Sequence, residues 1–286
     1  MPLLSFQSCR ERITRAESHT KAFAEAWNSF VEEDPYSAVV RMDDDGTGGI
    51  WVKPLYEYLP PLFSLELGEA LYNLRSALDH AVYAAAIEES GKNPPPHERD
   101  LEFPFCETPD KFKKAAWKIE PLTGNRRMVI ESVQPYNMVE GLEPHILLYS
   151  PHRTLGMLND WARKDRHRRL HVVASWGSNA SPMLKLPEGV SVEWFLLNAD
   201  GILEHEGEIA RFRLDGWKRG MRVEANPNLA IDVVIDEVPP PAADNDTLGN
   251  RLLWVAIEVK QIVGAFEESL LAERAGKPWP PPKSTE

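Results

Sequence analysis

The sequence predicts an α+β fold: a helical bundle that carries an N-terminal β-hairpin and has a small antiparallel β-sheet inserted before the C-terminal helix. Three observations predict it. Apolar residues recur at helical spacing through much of the first 175 residues and again after residue 248. Two alternating stretches flank the turn-forming "DDDGTGG" at 43–49. Between about 176 and 238 the pattern changes to short β-rich runs cut by Gly, Asn, Asp and Pro.

In chain order, Phe6, Ile13, Ala16, Phe23, Trp27 and Phe30 lie at three-and-four spacing, which predicts an amphipathic helix over 3–33 ending at Asp34-Pro35. "YSAVVRM" and "IWVKPLY" predict the hairpin, at about 37–57. Its acidic turn is not a calcium loop. With Gly46 at the glycine position of such a loop, the first and last ligands would be Arg41 and Val52.

Leu67, Leu71, Leu74, Leu78, Val82 and Ala85 form one stripe of a helix over 61–90, stopped by Gly91 and "NPPP". Thr108 as N-cap and Pro109 at the first helical position predict a short helix, and others are predicted over 125–133 and 155–171. "VSVEWFLLN", "GEIARFRLDG", "MRVEANP" and "LAIDVVIDEV" predict strands. Leu252, Val255, Val259, Ile262, Val263, Phe266 and Leu270 then lie on one side of a helix over 248–274. The expected division is a helical domain over 1–175 that includes the hairpin, a β subdomain over 176–240, a C-terminal helix within 241–276 packing back on the bundle, and a disordered Pro-rich tail over 277–286.

With 286 residues and 43% hydrophobic content the chain can bury a substantial core. Two cysteines, Cys9 and Cys106, are too few for a disulfide framework and fit a reducing compartment, so a cytoplasmic location is expected. No apolar run approaches the roughly 18 residues that span a bilayer, and no membrane association is expected. Net charge is −12, which opposes a broad nucleic-acid contact. The charge is uneven, however. "RKDRHRRLH" at 163–171 carries five Arg or Lys against one Asp, leaving about −16 on the rest. Such an island can receive a phosphate backbone.

The chemistry-bearing stretch is "NLRSALDHAVYA" at 73–84. Three Arg–His pairs occur at short spacing: Arg12 with His19, Arg75 with His80, and Arg166 with His171. The second lies mid-helix, off the leucine stripe and among groups able to bind or orient a substrate. At 100° per residue, Arg75 and His80 bracket an arc of about 140° that also holds Asp79, Tyr72, Tyr83, Ser76 and Glu69, with Asn73 just beyond His80. One reading is a solvated face, with Arg75 and Asp79 as an i, i+4 ion pair and His80 capping a loop. The other is a site: imidazole exchanges protons near neutral pH, and guanidinium offers a planar donor fork to phosphate.

These residues resemble the HEPN family, helical-bundle proteins whose ribonuclease members carry Arg, four to six residues, then His on one helix. The resemblance covers the helix at 61–90 and the helical character of the first 175 residues; Ser76 stands where the family usually has Asn, Asp or His. It implies a metal-independent endoribonuclease without cofactor, with a role in stress or defence. His80 would assist attack of a 2′-hydroxyl and Arg75 would hold the phosphate. It also implies a homodimer with a shared site, here through the Tyr72, Ser76 and Tyr83 face. Relatives that bind nucleotides without cleaving them, or serve as scaffolds, imply the alternative of a non-catalytic nucleotide-binding or protein-interaction module, the latter through the β subdomain.

On the basic helix, Asp165 falls among Leu158, Trp161, Ala162 and Val172 and needs a partner: Arg169 at i+4, or Arg75 or His80 from the motif helix. Arg163, Lys164, Arg166, Arg168 and Arg169 are either a solvated charge run or a strip for the RNA backbone. Asp160, His167 and His171 share a face at metal-ligand spacing, but the surrounding cations disfavour a metal site.

Overall fold

The structure is a computed structural model that describes residues 3–138, 150–167, 172–176, 182–198, 201–202, 204–226, 231–235 and 247–280. Its architecture is α+β. The chain divides into two compact units: Met1–Phe23, Leu65–Leu170 and Gly249–Glu286 form the first, Ala24–Ser64 and His171–Leu248 the second. Among the described residues no helix is long and apolar enough to cross a membrane.

The first unit is helical. It draws on α1 (Gln7–Glu32), α2 (Pro61–Ser90), α3 (Pro109–Ala115), α4 (Gly124–Ser132), α5 (Pro151–His167) and α6 (Leu248–Arg274). α2 starts with Pro at its first position and stops at Gly91, whose φ of 66° places it in the left-handed region while its N–H donates to Ile87 O at 2.8 Å. Thr108 caps α3 by accepting from Lys111 N, as its sequence predicts.

α2 is the central helix. Leu67, Leu71, Leu74, Leu78 and Val82 are buried on the stripe, but so are Ala70, Ala77, Ala81, Ala84 and Ala86, whose small side chains admit neighbours closely. Paired side chains fix the directions of those neighbours. α1 runs antiparallel to α2, since His19 meets Glu66 and Ser8 meets His80. α6 runs antiparallel to α1, with Glu267 on Arg10 and Lys260 near Glu17. α5 runs antiparallel to α2, with Asn159 at Arg75 and Asp165 at Gly68. At the far end Arg126 of α4 is 1% exposed and holds Glu89 and Glu273, each at 2.6 Å. Trimming a fully buried Leu such as Leu74 would cost about 2–5 kcal/mol.

The second unit holds the strands. β1 (Tyr36–Met42) and β2 (Thr47–Pro54) form the predicted hairpin, turned at Gly46 with φ 85° and with Thr47 N donating to Asp45 Oδ1. The remaining strands are β3 (Val172–Trp176), β4 (Met183–Lys185), β5 (Ser191–Leu197), β6 (Gly201–Ile202), β7 (Gly207–Asp215), β8 (Glu224–Asn226) and β9 (Ile231–Ile235). They form antiparallel sheets in the orders β1-β2-β7-β5, β6-β3-β9 and β4-β8.

The hairpin therefore does not belong with the helical residues as expected. β2 pairs with β7 from Thr47↔Arg213 to Val52↔Gly207, because a lone two-stranded ribbon leaves an unpaired edge and needs further strands for stability. One sheet face is apolar: Ile50, Val52, Phe212 and Leu214 are buried, and Phe195 stacks on Phe212 at 6.2 Å. Trp27, Phe30, Tyr56 and Phe63 form an aromatic cluster with ring centroids 5.3–5.6 Å apart.

Candidate functional site

The two sides of the α2 arc have different environments. On the Arg75 side, residues 102–105 cross the helix, and Gln134 fixes them. Gln134 is fully buried; its Oε1 accepts from Cys106 N at 2.9 Å and its Nε2 donates to Pro104 O and Ile130 O, both at 2.9 Å. Arg75 is 9% exposed. Its Nη1 donates to Asn159 Oδ1 at 2.6 Å and its Nη2 to Glu102 Oε1 at 2.6 Å, with Phe103 O at 3.5 Å. The guanidinium lies 4.1 Å from the Phe105 ring centroid.

Arg75 Nε has no hydrogen-bond partner and stands 3.7 Å from Asp79 Oδ2, too far for one. Asp79 instead accepts from Phe103 N at 3.0 Å, and burial raises its pKa although Arg75 opposes the shift. Glu102 also takes Lys118 Nζ at 2.6 Å. This corrects the expectation for Arg75. The i, i+4 ion pair with Asp79 is present but buried on the Arg75 side, and the guanidinium is not open to a phosphate: it is an internal brace joining α2, the 102–105 segment and α5. The wheel could not anticipate this, because the covering residues come from remote parts of the chain.

On the other side, His80 is half-buried and its Nδ1 lies 2.7 Å from Ser8 Oγ. Burial, and secondarily the Arg12 charge, hold its pKa below the ordinary imidazole value. Arg12, on the same face of α1 one turn after Ser8, lies 6.0 Å from the ring centroid of Tyr72, which is 59% exposed. Ser76 and Tyr83 are half-buried on the strip between the two sides. The structure thus places Arg12 rather than Arg75 on the His80 side of α2, over Tyr72 and one turn of α1 from the Ser8 that meets His80. Ser8, Arg12 and His19 recur at i, i+4 and i+11 beside the apolar stripe of α1, and that polar row was the signal available in the sequence.

Asp165 does reach α2, but two turns from the motif. A Cβ built on Gly68 would stand 2.5 Å from Asp165 Oδ2, and Gly68 precedes Arg75 by roughly 10 Å of helix rise. The alternative of a contact from Asp165 to Arg75 or His80 gives way to close approach to Gly68. Burial raises the Asp165 pKa, and Glu69 adds to the shift. Of the basic strip, Arg163 and Arg166 are exposed, and Arg163 and Lys164 reach Asp160 at 3.3 and 3.0 Å. Arg168, Arg169 and His171 lie outside the described residues, and with them the local Asp165 pair and the third member of the Asp160–His167 trio. Among the described residues no cluster of three His, Cys, Asp or Glu could hold a metal ion.

Compared with family models, curated proteins and solved structures, the chain has no match.

Proposed function

We propose that this protein binds the phosphate group of a nucleotide or RNA at the junction of α1 and α2, with Arg12 as the anion ligand, Tyr72 as a stacking surface and His80 as hydrogen-bonding partner. The observation that carries the reading is Arg12 set over the exposed Tyr72 ring, one turn of α1 from the Ser8 whose hydroxyl meets the half-buried His80 imidazole. Arginine supplies the donor fork that phosphate prefers, and an exposed tyrosine beside it offers a face to a base. Arg75 has no part in this reading beyond holding α2 in place. The non-catalytic alternative raised by the sequence is therefore the one the geometry favours.

Cleavage is a second reading, favoured by the depressed pKa of His80. If Nδ1–H donates to Ser8 Oγ, Nε2 keeps the lone pair of a general base at neutral pH. It would take the proton of an RNA 2′-hydroxyl, O2′ would bond to phosphorus, and the P–O5′ bond would break. The products are a 2′,3′-cyclic phosphate and a 5′-oxygen that takes its proton from water. One chain supplies both Arg12 and His80, so this route does not require the expected homodimer.

The test is a titration of labelled RNA and of a nucleoside monophosphate in excess EDTA, with wild type, Arg12→Gln and His80→Ala. Binding weakened at least tenfold by either variant supports the reading. Unchanged binding in both variants, or none by wild type, rejects it. Cutting by wild type but not by His80→Ala selects the catalytic version.

A further inference from the structure

The second unit holds a pocket of about 130 Å³ that the phosphate reading does not use. It opens between the segment joining β2 to α2, the turn joining β6 to β7, and β3. Val172, Val173 and Ala174 of β3 form an apolar floor, each no more than 7% exposed. Tyr56 and Tyr58 supply aromatic walls. The Tyr56 ring is fixed in advance: it meets Phe30 edge-on at 5.3 Å and Tyr36 at 5.5 Å, and its hydroxyl lies 2.8 Å from that of Tyr36. Tyr58 is 76% exposed and leaves its ring at the mouth. Glu57, Glu204 and His205 contribute the polar part of the lining. Burial raises the pKa of Tyr56 and the Glu204 charge adds to the shift, which sets that carboxylate beside the phenol.

We propose that this pocket takes an organic cation, an ammonium or guanidinium on a slender apolar stem. The stem lies on the β3 floor, the charge faces Glu57 and Glu204, and the tyrosine rings flank it.

Three properties of the lining select that occupant. The first is sign. Two carboxylates line the pocket and no Lys or Arg does. The neighbouring Glu206 is left out of this balance because Arg41 already holds it at 2.6 Å. A phosphate or carboxylate ligand would meet like charge here with no cation to offset it. The second is the kind of cation. Tyrosine faces attract ammonium and guanidinium groups, and a neutral imidazole such as His205 can accept one of their hydrogen bonds. A bare metal ion needs a closer set of ligands, and among the described residues no group of three His, Cys, Asp or Glu is placed to hold one. The third is size. A cavity of roughly 150 Å³ accommodates a benzene molecule, so this one takes a single alkyl chain or guanidinium and excludes a nucleotide. The apolar floor rewards a stem, which a hydrated inorganic cation lacks.

The pocket lies apart from the Arg12–His80 junction and does not rest on that reading. A free amine and the lysine side chain of a peptide present the same chemistry, so both are tested. The experiment is calorimetric titration of the full chain at low salt with butylammonium, agmatine and a lysine tripeptide blocked at both ends, against butanol and butyrate. The cations are expected to bind in the submillimolar range and the two controls not to bind. Glu57→Gln and Tyr58→Ala change exposed side chains, and unchanged circular dichroism verifies folding. Each is expected to weaken cation binding about tenfold, whereas Tyr58→Phe, which keeps the ring face, retains it. Tighter binding of the tripeptide than of butylammonium assigns a peptide as the source of the cation, and the reverse order assigns a free amine. No submillimolar binding of any cation, equal binding of butanol or butyrate, or wild-type affinity in both Glu57→Gln and Tyr58→Ala overturns the proposal. Loss in Arg12→Gln alone also overturns it, by moving the cation to the other unit.

Discussion

Arg75 Nη1 on α2 donates to Asn159 Oδ1 on α5 at 2.6 Å, a bond that joins two antiparallel helices through a nearly buried cation. Removing that cation leaves Asn159 Oδ1 without its donor, Glu102 with Lys118 alone and Asp79 without its nearest positive charge. Arg75→Ala is expected to lose about 3–5 kcal/mol in urea unfolding, and Arg75→Lys to recover only part of it, because an ammonium lacks the planar fork. A variant as stable as wild type but unable to bind phosphate would return Arg75 to the site.

His80 gives a pH signature. Its folded pKa lies below the ordinary value of about 6.5, so the unfolded chain binds the proton first as pH falls. The stability it contributes is present above pH ~6.5 and is lost as pH drops toward the folded pKa. Titration of the ring protons by NMR should place His80 below 6.5, and Arg12→Gln should raise it by removing one of its two causes. A His80 that titrates unchanged in Arg12→Gln would separate the two side chains.

Glu258 on α6 behaves in the opposite sense. Burial pushes its pKa up to about 7, so its contribution to stability is present below the unfolded value and lost as pH rises through 7. Glu258→Gln should therefore raise stability at pH 8 by roughly 1–2 kcal/mol, a figure reduced from the full shift because the group is partly solvated. The gain should vanish near pH 4. Equal melting curves of wild type and variant at pH 8 would contradict this.

Gly68 and Asp165 should couple. Gly68→Ala gains up to about 1 kcal/mol of helix propensity but drives a Cβ into the Asp165 carboxylate. With Asp165→Ala the gain should appear in full, so a double-mutant cycle should deviate from additivity by roughly 0.5 kcal/mol or more.

Elements that announce themselves locally were legible. α2 begins at Pro61 and ends before Gly91, and α6 spans Leu248–Arg274, as the periodicity and caps predict. The α+β class followed from the same signals. What escaped the sequence depends on remote pairing. A polar arc on a helical wheel reads as solvent-facing, yet Arg75 is covered by residues 102–105 and by Asn159. Nothing in "IWVKPLY" names β7 as its partner. His80 was found because imidazole is rare and chemically marked. Arg12 was passed over because its proximity arises only when α1 and α2 pack.

The β1–β2 hairpin finds its partner strand only at residues 207–215, and α6 closes the helical unit from the last part of the chain. On the ribosome, β2 waits for β7 and the earlier helices wait for α6. The nascent protein thus carries an open strand edge and an unfinished bundle together until residues 207–215 have been made. A chain stopped between β9 and α6 would hold every described strand of the second unit while its helical unit lacked the last helix.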